Sequence, residues 1–258
     1  MVSLPLVNLW DRRSALFHFG WTNIKIRFKG TYLGLLWTAL EPLMYFVVLY
    51  LVFTSIRVSI KEDFAIYLIT GIMIYHTFLR GTIGGLISLK TNQPILSSHN
   101  IRREFFPVSA TISTAILLFV EVAVFFGLML FFNFIPGITI VLLPVVLFLL
   151  LVLILGLSYI LSITFIYIRD IQPLWIVFTQ LLFFLSPIFW YLKDVDGFIL
   201  EIQKINPVGQ LIELGHKIVF GELPSIDEWL YTAAIVFGIL FVGYALFQRF
   251  EKNVVEVI

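Results

Sequence analysis

Four ionisable side chains lie in stretches of sequence that are otherwise almost free of charge. Glu41, Arg80 and Glu121 each interrupt an apolar run long enough to cross a bilayer, and His76 shares a run with Arg80. At the rise of an α-helix, Glu41 and Arg80 fall roughly 12 and 14 Å from the same end of their runs. A charge in hydrocarbon needs a partner. The pattern therefore predicts a polar network of these four residues, with a structural ion pair at its centre and a proton relay as the alternative.

The composition indicates an integral membrane protein. Of 258 residues, 60% are apolar and only 13% are charged, against about 25% charged in soluble domains, and the mean hydropathy is +1.01. The 17 basic residues nearly balance the 16 acidic ones, which argues against nucleic acid as a partner. Cysteine is absent, which excludes disulfides, thiolate metal sites and cysteine nucleophiles. The N-terminus lacks the pattern of a cleaved signal peptide.

The apolar runs predict an all-α fold with six transmembrane helices in a single domain, residues 1–258. The long apolar stretch that contains Glu121 is divided by the turn signal NFIPG at residues 133–137. The predicted spans cover residues 32–55, 64–89, 107–132, 139–166, 171–192 and 229–248.

The distribution of lysine and arginine predicts the orientation of these spans. With both termini on one side, eleven of the 17 basic residues fall on that side and five on the other, while Arg80 lies within a span. Cytoplasmic loops carry the excess of Lys and Arg. The sequence therefore predicts cytoplasmic termini, with the loop NIRREFFP (residues 100–107) also in the cytoplasm.

Three segments differ from both spans and simple loops. Residues 8–29 have an apolar helical face with the basic residues largely off it, which predicts a helix lying in the membrane interface, either as an anchor or beside a partner. Residues 96–106 predict a short cytoplasmic helix, either a solvated turn or a docking surface. Residues 193–228 predict two short external helices separated at Asn206-Pro207, either resting on the membrane or forming a re-entrant lid.

Aromatic and hydroxyl side chains recur at helical spacing on two spans. Most such stripes pack or anchor a helix, but sugar rings also stack on aromatic faces and offer hydroxyls to polar neighbours. The candidate residues for a sugar pathway are Trp37, Thr38 and Tyr45 on the first span and Trp175, Thr179, Phe183 and Trp190 on the fifth.

Motifs for several enzyme and transporter classes are missing from the sequence. It has no G-x-x-x-x-G-K-[ST] phosphate loop, no H-E-x-x-H pair and no G-x-S-x-G elbow, so an enzyme is disfavoured and the chain should bind no ATP or metal itself. Paired, broken spans typical of inverted-repeat transporters are also missing. Six spans would enclose only a thin pore, which favours a homodimer.

Five stretches in order along the chain have a familiar combination of residues: KGTYLGLLWTALEPLMYFVVLYLVF, LSSHNIRREFFPVSATIS, YIRDI, SPIFW and NPVGQLIELGHKIVFGE. Together they resemble the permease subunits of ABC-2 type exporters, in particular the branch that exports O-antigen and teichoic acid polysaccharides. The resemblance implies a homodimer in the inner membrane of a bacterium, two copies of a cytoplasmic ATPase that bind ATP and Mg²⁺, and an undecaprenyl diphosphate-linked polysaccharide as cargo.

The resemblance also implies roles for three sets of residues. ATPase docking falls to Asn100, Ile101, Arg102, Arg103, Glu104, Arg169 and Asp170. The resemblance implies that the lipid diphosphate, among the membrane lipids, contacts Arg12, Arg13, Lys25 and Arg27. It also implies that the pair of short helices around Asn206 and Pro207 forms the external lid. The alternatives are an ABC-2 permease for drugs or lipids, a stand-alone channel or ion-driven transporter, and a membrane glycosyltransferase.

Overall fold

The computed structural model describes residues 13–56, 63–94 and 102–251, and every regular element in these ranges is helical. We number the α-helices in chain order. They are α1 (Arg13–Phe28), α2 (Leu36–Ser55), α3 (Phe64–Thr91), α4 (Phe105–Phe131), α5 (Leu143–Tyr167), α6 (Ile171–Leu185), α7 (Phe198–Ile205), α8 (Pro207–Val219) and α9 (Ile226–Phe250). A short 3₁₀ segment, Ile138–Leu142, leads into α5.

Five segments are long and apolar enough to cross a membrane within the described ranges: α2, α3, α4, α9 and α5 with its 3₁₀ lead. The fifth predicted span, residues 171–192, differs. Helix α6 has 15 residues and ends at Leu185, about 22 Å of helix against a hydrocarbon core of about 30 Å. It stops because Ser186 precedes Pro187 and takes an extended conformation, with ψ at 147°.

Other predicted boundaries shift by a few residues or fall outside the described ranges. Helix α2 begins at Leu36 rather than at residue 32, after Gly34 with a φ of +52°. Helix α4 begins at Phe105, inside the predicted docking segment 96–106, and residues 95–101 lie outside the description. Residues 8–12 of the predicted interface helix also lie outside it.

Helix α3 is the centre of the molecule. It is buried over nearly its whole length and packs against α2, α4, α5, α6 and α8. Close approach to α5 depends on small residues, since a side chain at Gly85 would overlap Ser158 and one at Gly81 would meet Ile154. Small residues at helix contacts let backbones approach closely in membranes, where no hydrophobic force drives helices together.

Helices α5 and α9 touch through their backbones. A Cβ on Gly243 would overlap the carbonyl oxygen of Gly156, and one on Gly156 would lie 2.8 Å from Cα of Leu240. Neither neighbour can move aside, because both belong to helix backbone rather than to flexible side chains. The two glycines therefore set the distance between α5 and α9.

Helix α8 is buried against α3 and α5 at the end of the molecule where α3 begins. Asn206 caps it by accepting from the N–H of Gly209 at 3.1 Å, and its Nδ2 donates to Oγ of Ser186 at 3.0 Å. Pro207 occupies the first turn, where its missing N–H costs nothing. Asn206 and Pro207, proposed from the sequence as the lid break, thus join α7, α8 and the end of α6.

Replacing Gly243 with Ala should destabilise the protein by about 1–3 kcal/mol, because the added methyl group collides with the Gly156 carbonyl. The midpoint of thermal unfolding in detergent, followed by size-exclusion chromatography of the heated protein, measures this. Gly238→Ala is the matched control, since a Cβ there on the same helix meets nothing within 4 Å. Equal midpoints for both variants would contradict the close α5–α9 contact.

Candidate functional site

A pocket of about 410 Å³ lies where α1, the start of α2 and the middle of α3 meet. It combines cationic, anionic and aromatic side chains within helices that are otherwise apolar. The lining residues are Arg27, Phe28, Trp37, Thr38, Glu41, Met44, Tyr45 and Arg80.

Arg80 brings together the charged residues that the sequence placed in one network. Its Nη1 lies 2.6 Å from Oε1 of Glu121, and its Nη2 lies 3.8 Å from Oε2 of Glu41. Thr77 donates its hydroxyl to the second oxygen of Glu121. The side chains of Arg80 and Glu121 are 5% and 1% exposed, whereas that of Glu41 is 47% exposed. Glu121 is thus the buried counter-ion, and Glu41 is the carboxylate that faces the pocket.

His76 reaches the same region through an aromatic contact. Its ring meets that of Tyr45 edge-on, with centroids 4.6 Å apart. Tyr45 in turn lies 6.4 Å from the ring of Phe183 on α6. His76 therefore contributes to the position of Tyr45, on the wall of the pocket.

The first aromatic stripe lines this pocket. Trp37 and Tyr45 are roughly half exposed, while Thr38 is buried and its hydroxyl has no hydrogen-bond partner among the described residues. A hydroxyl of this kind is free to bind a ligand or water inside the pocket. The pocket thus offers ring faces and at least one unused hydroxyl side by side.

The second stripe packs against α3 instead. Trp175 donates its ring N–H to Oγ1 of Thr82 at 3.1 Å, and Tyr75 donates its hydroxyl to the carbonyl of Thr179. Phe183 meets Tyr75 edge-on, with centroids 5.2 Å apart. These contacts give the α6 residues a packing role in the isolated chain.

Trp190 is not on the α6 stripe, because the helix has already ended at Leu185. Its ring N–H donates to the carbonyl of Phe184 at 3.1 Å, and its own carbonyl accepts from Tyr67 at 2.7 Å. The continuous stripe expected from helical spacing is therefore wrong beyond the Ser186-Pro187 break.

The basic residues of the N-terminal segment occupy different places. Arg27 lines the pocket, whereas Nζ of Lys25 lies 6.0 Å from the ring centre of Trp21. Arg13 is the first residue of α1, and Arg12 lies outside the described residues. Of the four candidates for binding a lipid diphosphate, Arg27 is the one whose place in the pocket is defined.

Two arginines of the predicted docking segment, Arg102 and Arg103, make contacts within the chain. Nε of Arg102 lies 3.0 Å from Oε1 of Glu104, and Arg103 donates to the carbonyl of Glu251, just after α9. Glu104 is 2% exposed and accepts from the hydroxyl of Tyr244 at 3.3 Å. Burial raises the pKa of Glu104 above its usual range, and Arg102 and Tyr244 partly oppose this rise. Glu104 thus ties the start of α4 to α9.

The other predicted docking segment lies near the same end of α9. Tyr167, at the end of α5, donates its hydroxyl to the carbonyl of Phe250 at 3.2 Å. Arg169 and Asp170 follow in an exposed turn before α6. The two predicted docking segments therefore both border the C-terminal end of α9, while Asn100 and Ile101 lie outside the described residues.

Sequence reasoning missed Thr77, Tyr244 and Gln248 as members of these networks. Thr77 precedes Arg80 by three positions on α3, so helical spacing already placed it beside the predicted ion pair. Gln248, which donates to the hydroxyl of Tyr244, follows it by four positions on α9. Within the described ranges, no group of three or more His, Cys, Asp or Glu residues is arranged to hold a metal ion.

Comparison with known proteins gives a consistent result along the chain. The ABC-2 type transporter family matches residues 14–220. An O-antigen export system permease protein RfbA from Myxococcus xanthus is 23% identical over 252 residues, covering 96% of each chain. Two proteins of the same description from Klebsiella pneumoniae are 22% and 20% identical, each over 92% of both chains.

Replacing Glu121 with Gln should destabilise the protein by about 3–5 kcal/mol, because it leaves the Arg80 guanidinium buried without its carboxylate. Glu41→Gln, which removes a half-exposed partner of the same arginine, should cost less than about 1 kcal/mol. The thermal unfolding midpoints of both variants, compared in one detergent, measure the difference. Equal shifts would contradict the assignment of Glu121 as the principal counter-ion.

Proposed function

The chain belongs to the ABC-2 type transporter family, and we propose that it is the permease subunit of an ATP-driven exporter of lipid-linked, O-antigen-type polysaccharide. In this proposal the chain spans the cytoplasmic membrane of a bacterium, with both termini in the cytoplasm. The O-antigen export permeases that it resembles over nearly their full length support the choice of cargo. One geometric observation carries it: the pocket beside α1 joins arginine side chains to exposed aromatic rings.

The pocket chemistry fits the two parts of such a cargo. A diphosphate binds guanidinium groups, and Arg27 and Arg80 both line the pocket. A sugar ring stacks its C–H face on an aromatic ring, and Trp37 and Tyr45 are the half-exposed rings beside the arginines. Glu41 partly offsets the positive charge of Arg27 and Arg80, so that the diphosphate would bind weakly enough to be released.

A second copy of the chain completes the proposed pathway. Helix α2 and helix α6 both present rows of exposed apolar side chains, among them Met44 and Val48 on α2 and Val177 and Leu181 on α6. A homodimer that pairs these faces would cover them and close the pocket side of α2 into a channel. The half-exposed rings of Trp37 and Tyr45 would then lie beside the path of the polymer.

ATP hydrolysis belongs to a separate subunit in this proposal, since the sequence carries no phosphate loop. Two copies of a cytoplasmic ATPase would bind ATP and Mg²⁺ and dock at the end of the molecule where Arg103 contacts Glu251 and Tyr167 contacts Phe250. The exposed turn at Arg169 and Asp170 is the best-defined docking surface there.

Helix α4 connects this docking end to the pocket. Glu104 immediately precedes the helix and is bound to Arg102 and Tyr244, while Glu121 lies about 25 Å further along and holds Arg80. A displacement of the start of α4 would therefore move the counter-ion of an arginine that lines the pocket. We propose this helix as the mechanical link between ATP hydrolysis and cargo release.

Replacing Arg169 with Glu should reduce stimulation of ATP hydrolysis in the reconstituted permease–ATPase complex by about tenfold or more, because it reverses a charge on the exposed docking turn. Lys193→Glu is the matched control, with the same charge change near the end of α6. Co-expression of the chain with its candidate ATPase, pull-down and a hydrolysis assay measure both. Failure of any ATPase to bind the unaltered chain would contradict the proposed subunit role.

Replacing Arg27 with Gln should lower surface polysaccharide export about 10- to 100-fold, which corresponds to the loss of one charge-assisted hydrogen bond to phosphate. Lys25→Gln removes the same charge from the same helix, on a side chain that lies over Trp21, and should retain most export. Polysaccharide at the cell surface, normalised to the amount of permease, is the measurement. Equal loss in both variants would favour general attraction to anionic lipid over a diphosphate contact in the pocket.

A further inference from the structure

A second pocket, of about 200 Å³, lies at the opposite end of the molecule, between α7, α8 and the start of α9. The positive-inside count predicts that this end is external. Its lining mixes amide, hydroxyl, carboxylate and ammonium groups with leucines and one tyrosine ring. The lining includes Gln203, Lys204, Glu213, Lys217, Glu228 and Tyr231.

The amide of Gln203 is the feature that points to a ligand. Its side chain is buried, with the residue only 3% exposed, yet neither its oxygen nor its nitrogen has a hydrogen-bond partner among the described residues. Both atoms lie against Gly209, where a side chain would displace them, so the glycine leaves room for the amide. An unsatisfied buried amide is unfavourable, and a bound molecule with both a donor and an acceptor would satisfy it.

The charges around this pocket favour a ligand without net charge. Two lysines and two glutamates line it. Lys217 is paired with Glu228, and Lys204 with the neighbouring Glu201 at 2.6 Å. The remaining lining carboxylate, Glu213, interacts with the same Lys217, so the formal charges of the lining sum to zero. A strongly charged ligand would have to disturb this balance. A neutral molecule with several hydroxyl groups can instead bond to the free oxygen and hydrogen atoms of these side chains without separating the pairs.

The size and the exposed ring narrow the ligand class further. The volume lies below the range of about 300–1,000 Å³ for sites of drug-sized ligands, so the pocket has room for one ring rather than for an oligomer. Tyr231 is half exposed and is held by a hydrogen bond from its hydroxyl to the carbonyl of Lys204 at 3.1 Å. A fixed, exposed aromatic ring is a suitable surface for the C–H face of a pyranose.

We propose that this pocket binds one neutral sugar unit of the exported polymer, with the Gln203 amide bonding to its hydroxyls and Tyr231 against its ring. The inference rests on the proposed function, because the sugar is taken to be part of the cargo. A weak site at the external end would hold the polymer that has already emerged, so that it does not slide back between cycles of ATP hydrolysis.

The absence of cysteine from the whole chain allows a direct test. Leu200→Cys introduces a single thiol in the pocket lining, and Phe198→Cys places one at an exposed position of the same helix outside the lining. Spheroplasts carrying either variant with the partner ATPase are labelled with a membrane-impermeant maleimide. The probes are methyl α-glycosides of glucose, galactose and mannose, methyl N-acetylglucosaminide, the corresponding free sugars, and phosphoethanolamine.

At about ten times its Kd, a methyl glycoside should slow labelling of Leu200→Cys by about tenfold, because only the empty pocket reacts. Labelling of Phe198→Cys should not change. Adding Gln203→Leu to Leu200→Cys should abolish this protection without lowering the thermal unfolding midpoint, since it removes an unsatisfied amide. Retained protection in the Gln203→Leu variant would overturn the assignment of the amide.

Three other outcomes would also overturn the proposal. Protection by no sugar would leave water as the occupant of the pocket. Protection by free sugars alone would assign it to a soluble sugar, because a unit within a polymer has a blocked anomeric position. Protection by phosphoethanolamine alone would assign it to a lipid headgroup. Surface polysaccharide from the same cells separates the two hypotheses: normal export without protection overturns only the pocket, whereas absence of export activity in the unaltered chain overturns the proposed function.

Discussion

The central helix carries a buried guanidinium group, and the arrangement of the helices around it depends on the need to neutralise this charge. Removing a charge from water costs several kcal/mol even after relaxation, and the cost is offset only where a counter-ion and hydrogen bonds are in place. Arg80 meets this condition through Glu121 on α4, which also accepts from Thr77. The pair therefore fixes the register of α3 against α4. The weaker contact with Glu41 adds α2 to the same centre.

The molecule separates its two polar regions by an apolar core. At one end, the pocket beside α1 collects arginines and aromatic rings, and the start of α4 is bound to the end of α9. At the other end, Tyr67 donates to the carbonyl of Trp190 and stacks on His216 of α8, with ring centres 3.6 Å apart. Between them α3, α4 and α5 form a nearly continuous hydrophobic cluster. For the polymer cargo proposed above, this separation would allow uptake and release at different depths.

The sequence predicted the long apolar helices and the pairing of the intramembrane charges because both follow from local rules. A run of apolar residues has few alternatives to a helix in a membrane, and a deep charge demands a partner at equal depth. The early end of α6 was also available from local information, in the dipeptide Ser186-Pro187. Local information did not reveal which helix Trp175 and Thr179 contact. Helical spacing shows that the two residues share a face, but not which helix packs against that face. That neighbour, α3, lies far away along the chain and is set by tertiary packing.

The backbone contact between Gly156 and Gly243 has a consequence for how the protein can move. A carbonyl of α5 occupies the space where α9 would otherwise carry a side chain, so neither helix can slide along the other without a steric clash. This contact therefore opposes sliding of α5 along α9 and couples the movements of the two helices. Helix α9 extends about 27 Å from Thr232, beside the second pocket, to the Phe250 carbonyl bound by Tyr167. A tilt imposed at one end of α9 would therefore be carried to the other end by one continuous helix.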